Sequence, residues 1–143
     1  MEKYYTQEEC IAALEAAKHT LNSRGEFLYG YKDCISLALE YDKNLRLYSK
    51  YEDIIDFTWG SITEFLNQLR RKKMTLEDFA VAGDYEVITN NRPKVGDVAY
   101  YKGIAVCDLI GWVSVDEKLG VKRFKPRMPL ERGFSLIVRP LRR

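Results

Sequence analysis

Among the side chains that could do covalent chemistry, Cys34 is the best placed of the three cysteines. Asp33 directly precedes it and is a natural helix N-cap, which would put Cys34 in the first turn of a helix. A helix N-terminus offers unsatisfied backbone N–H groups and the positive end of the helix dipole, and both favour thiolate over thiol. The pattern therefore makes Cys34 a candidate nucleophile. The competing interpretation is a small buried side chain, because free cysteine is among the most buried residue types.

A nucleophilic thiol normally works with a general base, most often a histidine. His19 is the single histidine of the chain, and none follows Cys34. The apolar periodicity around His19 places it on the edge of the first predicted helix, where a partly exposed histidine without a catalytic role is the competing interpretation. We keep His19 as a candidate base, but the sequence does not predict a working hydrolase.

The remaining chemistry-bearing residues do not indicate a metal or cofactor site. Cys10 and Cys107 have apolar neighbours and are predicted to be structural thiols. Three cysteines at unpatterned spacing are typical of a reducing compartment and not of a disulfide framework. The chain has no CxxC or HxxxH spacing, so neither metal nor cofactor is predicted.

The C-terminal part of the chain is basic. Residues 121–143 contain eight Lys or Arg and one acid, whereas the whole chain carries a net charge of +2. Lys122, Arg123, Lys125 and Arg127 form a candidate binding patch within this segment. Such a patch could meet nucleic acid or an acidic partner, although a solvated rim is the common alternative. Because no base-reading helix is evident, we expect weak nucleic-acid binding or none.

Helical signals dominate the first half of the chain. A capping box at Thr6 starts a helix over residues 7–22, and Asp33 starts a second helix that is expected to carry Asp42 into solvent. Ser61 begins another capping-box pattern before a third helix. Thr75 is expected to cap a shorter fourth helix, which Gly83 would stop in the C′ position.

Short β-rich runs follow Gly83, with turn residues between them. The predicted strands cover residues 85–88, 97–101, 104–108, 112–115, 121–124 and 134–138, and Lys102-Gly103 is expected to form a two-residue hairpin loop. Helices followed by strands predict an α+β fold with N-terminal helices packed on a C-terminal antiparallel sheet. Length and composition predict a single domain over residues 1–143. The chain shows neither an apolar run long enough for membrane insertion nor a signal peptide.

Two segments carry a resemblance to a known family. Residues 29–38 read YGYKDCISLA, with Cys34 after Asp33, and residues 94–101 read KVGDVAYY. In this order they resemble the aromatic-Gly…Asp-Cys turn and the Gly-Asp strand of NlpC-type papain-like peptidases. Gly60 before the third helix and Gly120 in a later turn also fit. The resemblance covers residues 27–136 and is closest to a divergent branch of tailed phages and prophages.

The resemblance implies a papain-like fold in which Cys34 occupies the nucleophile position. Active NlpC-type enzymes have a His-Val-Gly segment after the Gly-Asp strand, whereas residues 104–107 read IAVC here. It therefore implies a phage-encoded structural or assembly protein of the tail or DNA-injection apparatus, on a scaffold without activity. Its partners would be other protein subunits of the phage, and its location the host cytoplasm or the virion. A cysteine hydrolase or transferase with a non-standard base, and a phage inhibitor of a host protein, are the alternatives.

Overall fold

The fold described here is that of a computed structural model, and the structure describes residues 2–46, 51, 59–89, 92–100, 103–124 and 136–142. Four helices come first: α1 (Gln7–Asn22), α2 (Cys34–Leu45), α3 (Ile62–Arg71) and α4 (Leu76–Ala82). Six strands follow: β1 (Tyr85–Val87), β2 (Val98–Tyr100), β3 (Ile104–Cys107), β4 (Trp112–Asp116), β5 (Gly120–Phe124) and β6 (Leu136–Pro140). The predicted α+β class is confirmed.

Each helix begins where its capping residue predicts. Thr6 and Glu9 form a complete capping box at α1, and the Asp33 carboxylate accepts the Ser36 N–H at α2. Thr75 forms a complete box at α4. At α3 the Ser61 hydroxyl accepts the Glu64 N–H, but the Glu64 carboxylate binds the N–H of Gly60. The predicted box at Ser61 is therefore only half formed.

The strands form one sheet in the order β1-β6-β2-β3-β4-β5, and every neighbouring pair is antiparallel. The predicted strands are confirmed with small shifts at their ends. Tyr101 and Phe134, which the predictions included, lie outside the described residues, as does Lys102 of the predicted two-residue hairpin loop. Tyr100 pairs with Ile104, which leaves three residues between the paired positions, so the predicted loop length of two residues is wrong.

Both faces of the central strands are buried, which explains why runs such as residues 104–107 are apolar throughout. One face packs with the helices in the main core and includes Val98, Ile104, Val106 and Val113. The alternate residues form a second, smaller cluster on the other face, made of Ala99, Ala105, Cys107, Trp112 and Ile137. Because α2 packs against β3 and β4, the N-terminus that carries Cys34 is positioned by the sheet.

Two predictions about helix residues are wrong. Asp42 was expected in solvent, but it is 1% exposed and accepts a 3.0 Å hydrogen bond from the Tyr85 hydroxyl. Arg46, one turn later, lies 3.0 Å from the same carboxylate. Gly83 is the C-cap of α4 with φ −86°, and the left-handed residue is Asp84 with φ 63°. Gly83 is instead needed for space, because a Cβ there would come within 2.2 Å of the Tyr51 ring.

No helix within the described ranges is long and apolar enough to cross a membrane.

Candidate functional site at Cys34

Cys34 is the first residue of α2, and two features of the preceding loop fix it there. Gly30 has φ +82°, a left-handed conformation that glycine adopts without strain. The Gly30 N–H then donates a 3.0 Å hydrogen bond to Asp33 Oδ2. The loop is closed further by the Lys32 N–H, which donates to the Leu28 carbonyl at 2.7 Å. The aromatic loop and the helix start are therefore one locally hydrogen-bonded unit.

Asp33 is buried and all of its described hydrogen bonds are structural. Its Oδ1 accepts the Ser36 N–H at 2.7 Å, and its Oδ2 accepts the Gly30 N–H and the Trp59 Nε1–H, the latter at 2.7 Å. A carboxylate with these donors caps the helix and ties it to the segment before α3. The structure thus gives Asp33 the role of helix cap that the sequence predicted, with Trp59 as an added partner.

The Cys34 thiol is buried, and burial raises its pKa to about 11. The negative charge of Asp33 acts in the same direction, whereas backbone amides of Ile104, Cys34 and Ile35 lower the pKa. The amides at the helix N-terminus do favour thiolate, as expected, but the cost of removing the thiolate from water exceeds their stabilisation, which agrees with the competing interpretation of a buried side chain. At neutral pH Cys34 is a thiol.

No histidine takes part in this site. His19 is exposed on α1 and is the single histidine of the chain. The sheet residue next to the thiol is Ile104, whose backbone amide acts on the Cys34 pKa and whose carbonyl accepts a 2.6 Å hydrogen bond from the Ser114 hydroxyl. Among the described residues, the groups that act on the thiol are thus backbone amides and the carboxylate of Asp33, which caps the helix.

An exposed apolar loop borders the site. Leu28 is 59% exposed and Tyr31 48% exposed, and the Tyr29 ring packs edge-on against Phe27. Beside them lies a groove of about 590 Å³ between residues 25–32 and the β4–β5 turn, where Leu119 is 68% exposed. Sequence reasoning noted the aromatic residues of this loop but did not identify it as a surface. Their clustering within residues 27–31 was the available signal.

The basic C-terminal segment is largely paired where the structure describes it. Arg123 binds Asp108 at 2.6 Å, Arg139 binds Asp97 at 2.8 and 2.9 Å, and Arg142 binds Glu9. Lys122 is half-buried on β5, next to Arg123. Lys125 and Arg127 lie outside the described residues. The predicted positive strip is therefore partly neutralised by acids from distant parts of the chain.

Metal ligands do not gather anywhere in the described part of the chain: no group of three or more His, Cys, Asp or Glu side chains is placed to hold an ion. Cys10, Cys34 and Cys107 are all buried, and none of the three forms a disulfide.

Comparison of the chain with protein-family models, with curated proteins and with solved structures gives no significant match in any of the three.

Proposed function

We propose that this chain is a phage-encoded structural or assembly protein, of the tail or DNA-injection apparatus, built on a catalytically inactive papain-like scaffold. The observation that carries the inactive part of the proposal is the environment of Cys34. Its thiol is buried with a pKa raised to about 11, and Asp33 beside it is committed to capping α2. The described residues supply no base beside it, and such a thiol is almost entirely protonated at neutral pH.

The exposed loop next to the inactive site supports a role in protein binding. Exposed apolar side chains that lie together mark protein-binding sites, whereas scattered ones do not, and tyrosine is enriched at binding hot spots. Tyr29, Tyr31 and Leu28 meet that description, and the loop that carries them is held by hydrogen bonds to Asp33 and Lys32. The phage assignment rests on the sequence resemblance of residues 29–38 and 94–101.

A turnover assay tests the proposal that the scaffold is catalytically inactive. The purified protein and its Cys34→Ala variant are incubated with peptidoglycan peptides and with simple esters, and we expect no difference in rate between them. Turnover that Cys34→Ala abolishes would overturn the proposal in favour of a cysteine hydrolase or transferase. His19→Ala then serves as the second variant, because loss of the same turnover would identify His19 as the base.

Measurement of the protein composition of phage particles tests the proposal that this chain is a structural or assembly protein. Particles of the encoding phage or induced prophage are purified on a density gradient and quantified by mass spectrometry. We expect the protein at a fixed copy number per particle, or in an assembly intermediate with particle proteins. Its recovery only in a complex with a host protein would favour the inhibitor alternative and contradict the structural role.

A further inference from the structure

Lys32, in the loop before α2, is a buried lysine that forms no ion pair with a described residue. It is 7% exposed, and its ammonium donates a hydrogen bond to the Gly25 carbonyl. The ion pairs within the described part of the chain are all made by other cations. Removal of an ammonium from water costs free energy that an opposite charge can offset. A negatively charged group from outside the chain would supply that offset.

The loop holds Lys32 in a fixed position. The Lys32 N–H donates to the Leu28 carbonyl at 2.7 Å, and the Leu28 N–H donates back to the Lys32 carbonyl at 3.2 Å. The Arg24 guanidinium donates to the Tyr31 carbonyl at 2.8 Å and lies 4.8 Å from the centroid of the Tyr31 ring. The charge is therefore in place before a ligand binds, so less conformational entropy is lost on binding.

Two of the three N–H donors of the Lys32 ammonium remain for a ligand. An ammonium has three donors and no acceptor, and the Gly25 carbonyl takes one of them. Lys32 and Gly25 both line the groove, whose volume of about 590 Å³ lies within the range of small-molecule sites. A carboxylate is the matching acceptor, because hydrogen bonds between ions are roughly twice as strong as those between neutral groups.

The charged residues that line the groove balance one another. They are two cations, Lys32 and Lys118, and two acids, Glu26 and Glu117. Both acids are exposed, and neither forms an ion pair with a described cation. Two carboxylates repel a multiply charged anion such as phosphate and attract a positive group. The lining therefore matches a ligand that carries one charge of each sign.

Apolar surface lies beside these charges. Phe27 is half-buried and Leu119 is exposed, and both line the groove. A Cβ placed on Gly120, the residue after Leu119, would meet no atom within 4 Å, so the groove is open there. An apolar side chain that covers this surface is stabilised by the hydrophobic effect.

We propose that the groove binds a small zwitterion, an α-amino acid with an apolar side chain. Its carboxylate accepts a hydrogen bond from the Lys32 ammonium, and its amino group lies towards Glu26 and Glu117. Its side chain packs on Phe27 and Leu119. This site goes beyond the proposed function, because neither an inactive thiol nor a structural role requires a small ligand.

The experiment uses the full, isotope-labelled chain and three ligands that differ in one charge. L-Leucine carries both charges, isopentylamine lacks the carboxylate, and N-acetyl-L-leucine lacks the positive charge. Each is titrated to about 20 mM, which saturates a site of millimolar affinity. Nuclear magnetic resonance follows the groove amides of Gly25, Phe27, Lys32, Leu119 and Gly120. We expect L-leucine to shift these resonances and each of the other two ligands to bind about tenfold more weakly, because one ionic hydrogen bond is lost.

Two variants assign the charges. Lys32→Met keeps an apolar stem without the ammonium and should weaken L-leucine binding about tenfold. Lys94→Met, at an exposed lysine outside the groove, is the matched control and should leave this binding unchanged. The double variant Glu26→Gln and Glu117→Gln should weaken the binding of L-leucine but not of N-acetyl-L-leucine, which has no positive charge. Circular dichroism checks that each variant is folded, and the double variant tests the site even where Lys32→Met does not fold.

Absence of shifts in the groove amides with L-leucine would overturn the inference. Binding of isopentylamine or N-acetyl-L-leucine as tight as that of L-leucine would overturn the zwitterion as the ligand class. Equal affinities of folded Lys32→Met and Lys94→Met for L-leucine would overturn the role of Lys32. Neither the turnover assay nor the particle composition depends on the groove, so this inference can fail while the proposed function stands.

Discussion

The indole Nε1–H of Trp59 donates a 2.7 Å hydrogen bond to the Asp33 carboxylate, across 26 residues of chain. Both side chains are buried, with Trp59 packed edge-on against Phe65 of α3. The bond therefore joins the start of α2, which carries Cys34, to the core under α3. It also occupies a carboxylate that could otherwise have acted on the neighbouring thiol. The start of α2 is thus held in place by three N–H groups that donate to the Asp33 carboxylate.

Replacement of Asp33 should destabilise the protein more than loss of an ordinary helix cap. Asp33→Ala leaves the Trp59 Nε1–H and the Gly30 N–H without their acceptor, in addition to removing the cap. We expect a loss of about 2–4 kcal/mol in the free energy of unfolding, measured by urea denaturation. Asp33→Asn retains one acceptor oxygen and should lose less. Equal effects of Asp33→Ala and of the exposed-cap variant Ser61→Ala would contradict this assignment.

Cys34 should resist alkylation until the protein unfolds. With a pKa of about 11, about one molecule in a thousand carries the thiolate at pH 8, whereas an ordinary thiol is about one quarter ionised. Iodoacetamide labelling at pH 8, followed by peptide mass spectrometry, should be at least about a hundredfold slower in the folded protein than in urea. If Cys34 in the folded protein were labelled as fast as in urea, its thiol would not be buried.

The raised pKa of Cys34 also fixes the sign of a pH effect on stability. Because the folded state holds the thiol proton more tightly than the unfolded state, this group stabilises the fold below the unfolded pKa. That contribution falls as pH rises from about 8.5 towards 11. The unfolding free energies of the native protein and of Cys34→Ala, measured by urea denaturation across this pH range, should therefore converge at alkaline pH. A constant difference between the two would contradict the raised pKa.

Removal of Arg139 should be costly because it leaves Asp97 buried without its cation. Burial raises the pKa of Asp97 even with Arg139 beside it, since desolvation outweighs the attraction. We expect Arg139→Ala to lose about 3–5 kcal/mol of unfolding free energy at pH 7. The loss should shrink as pH falls and Asp97 takes up a proton, which urea denaturation at pH 7 and pH 5 measures. Arg142→Ala, whose ion pair with Glu9 is more exposed, is the matched control and should lose much less.

The parts of the fold that depend on near neighbours in sequence could be predicted from it. Thr6, Asp33 and Thr75 each cap a helix through an N–H three residues later, so a short motif contains the whole interaction. Strand alternation likewise places Val106 and Cys107 on opposite faces. These elements sufficed to predict that a helix carrying Cys34 at its start packs on an antiparallel sheet.

The parts that depend on distant residues could not be predicted. Asp42 was expected in solvent because a charged residue usually is, but its burial is made possible by Tyr85, 43 residues later. The same holds for the thiol of Cys34, whose pKa is set by burial against the sheet and not by the helix start alone. The effect of a helix dipole can be inferred from the local sequence, whereas desolvation depends on how the core is assembled.

The basic C-terminal segment should bind nucleic acid only weakly, because most of its described arginines are already paired with acids. Asp108, Asp97 and Glu9 already neutralise Arg123, Arg139 and Arg142 respectively. Few cations of the described C-terminal part are then left for phosphates, and binding that releases few counterions depends only weakly on salt. We expect duplex and single-stranded DNA to bind weakly at 50 mM salt and with no measurable affinity near 150 mM in fluorescence anisotropy.

A charge-reversal variant separates this expectation from its alternative. Reversal of Lys122, Arg123, Lys125 and Arg127 together removes the patch, including the two residues outside the described part of the chain. The matched control reverses Arg70 and Arg71, exposed cations at the end of α3. If six or more phosphates were contacted, the native affinity would fall roughly 10³-fold or more between 50 and 200 mM salt. Tight binding at physiological salt with that steep salt dependence would contradict this expectation. If the patch variant lost this binding and the control kept it, nucleic acid would be the target, because arginines already neutralised by acids could not contact so many phosphates.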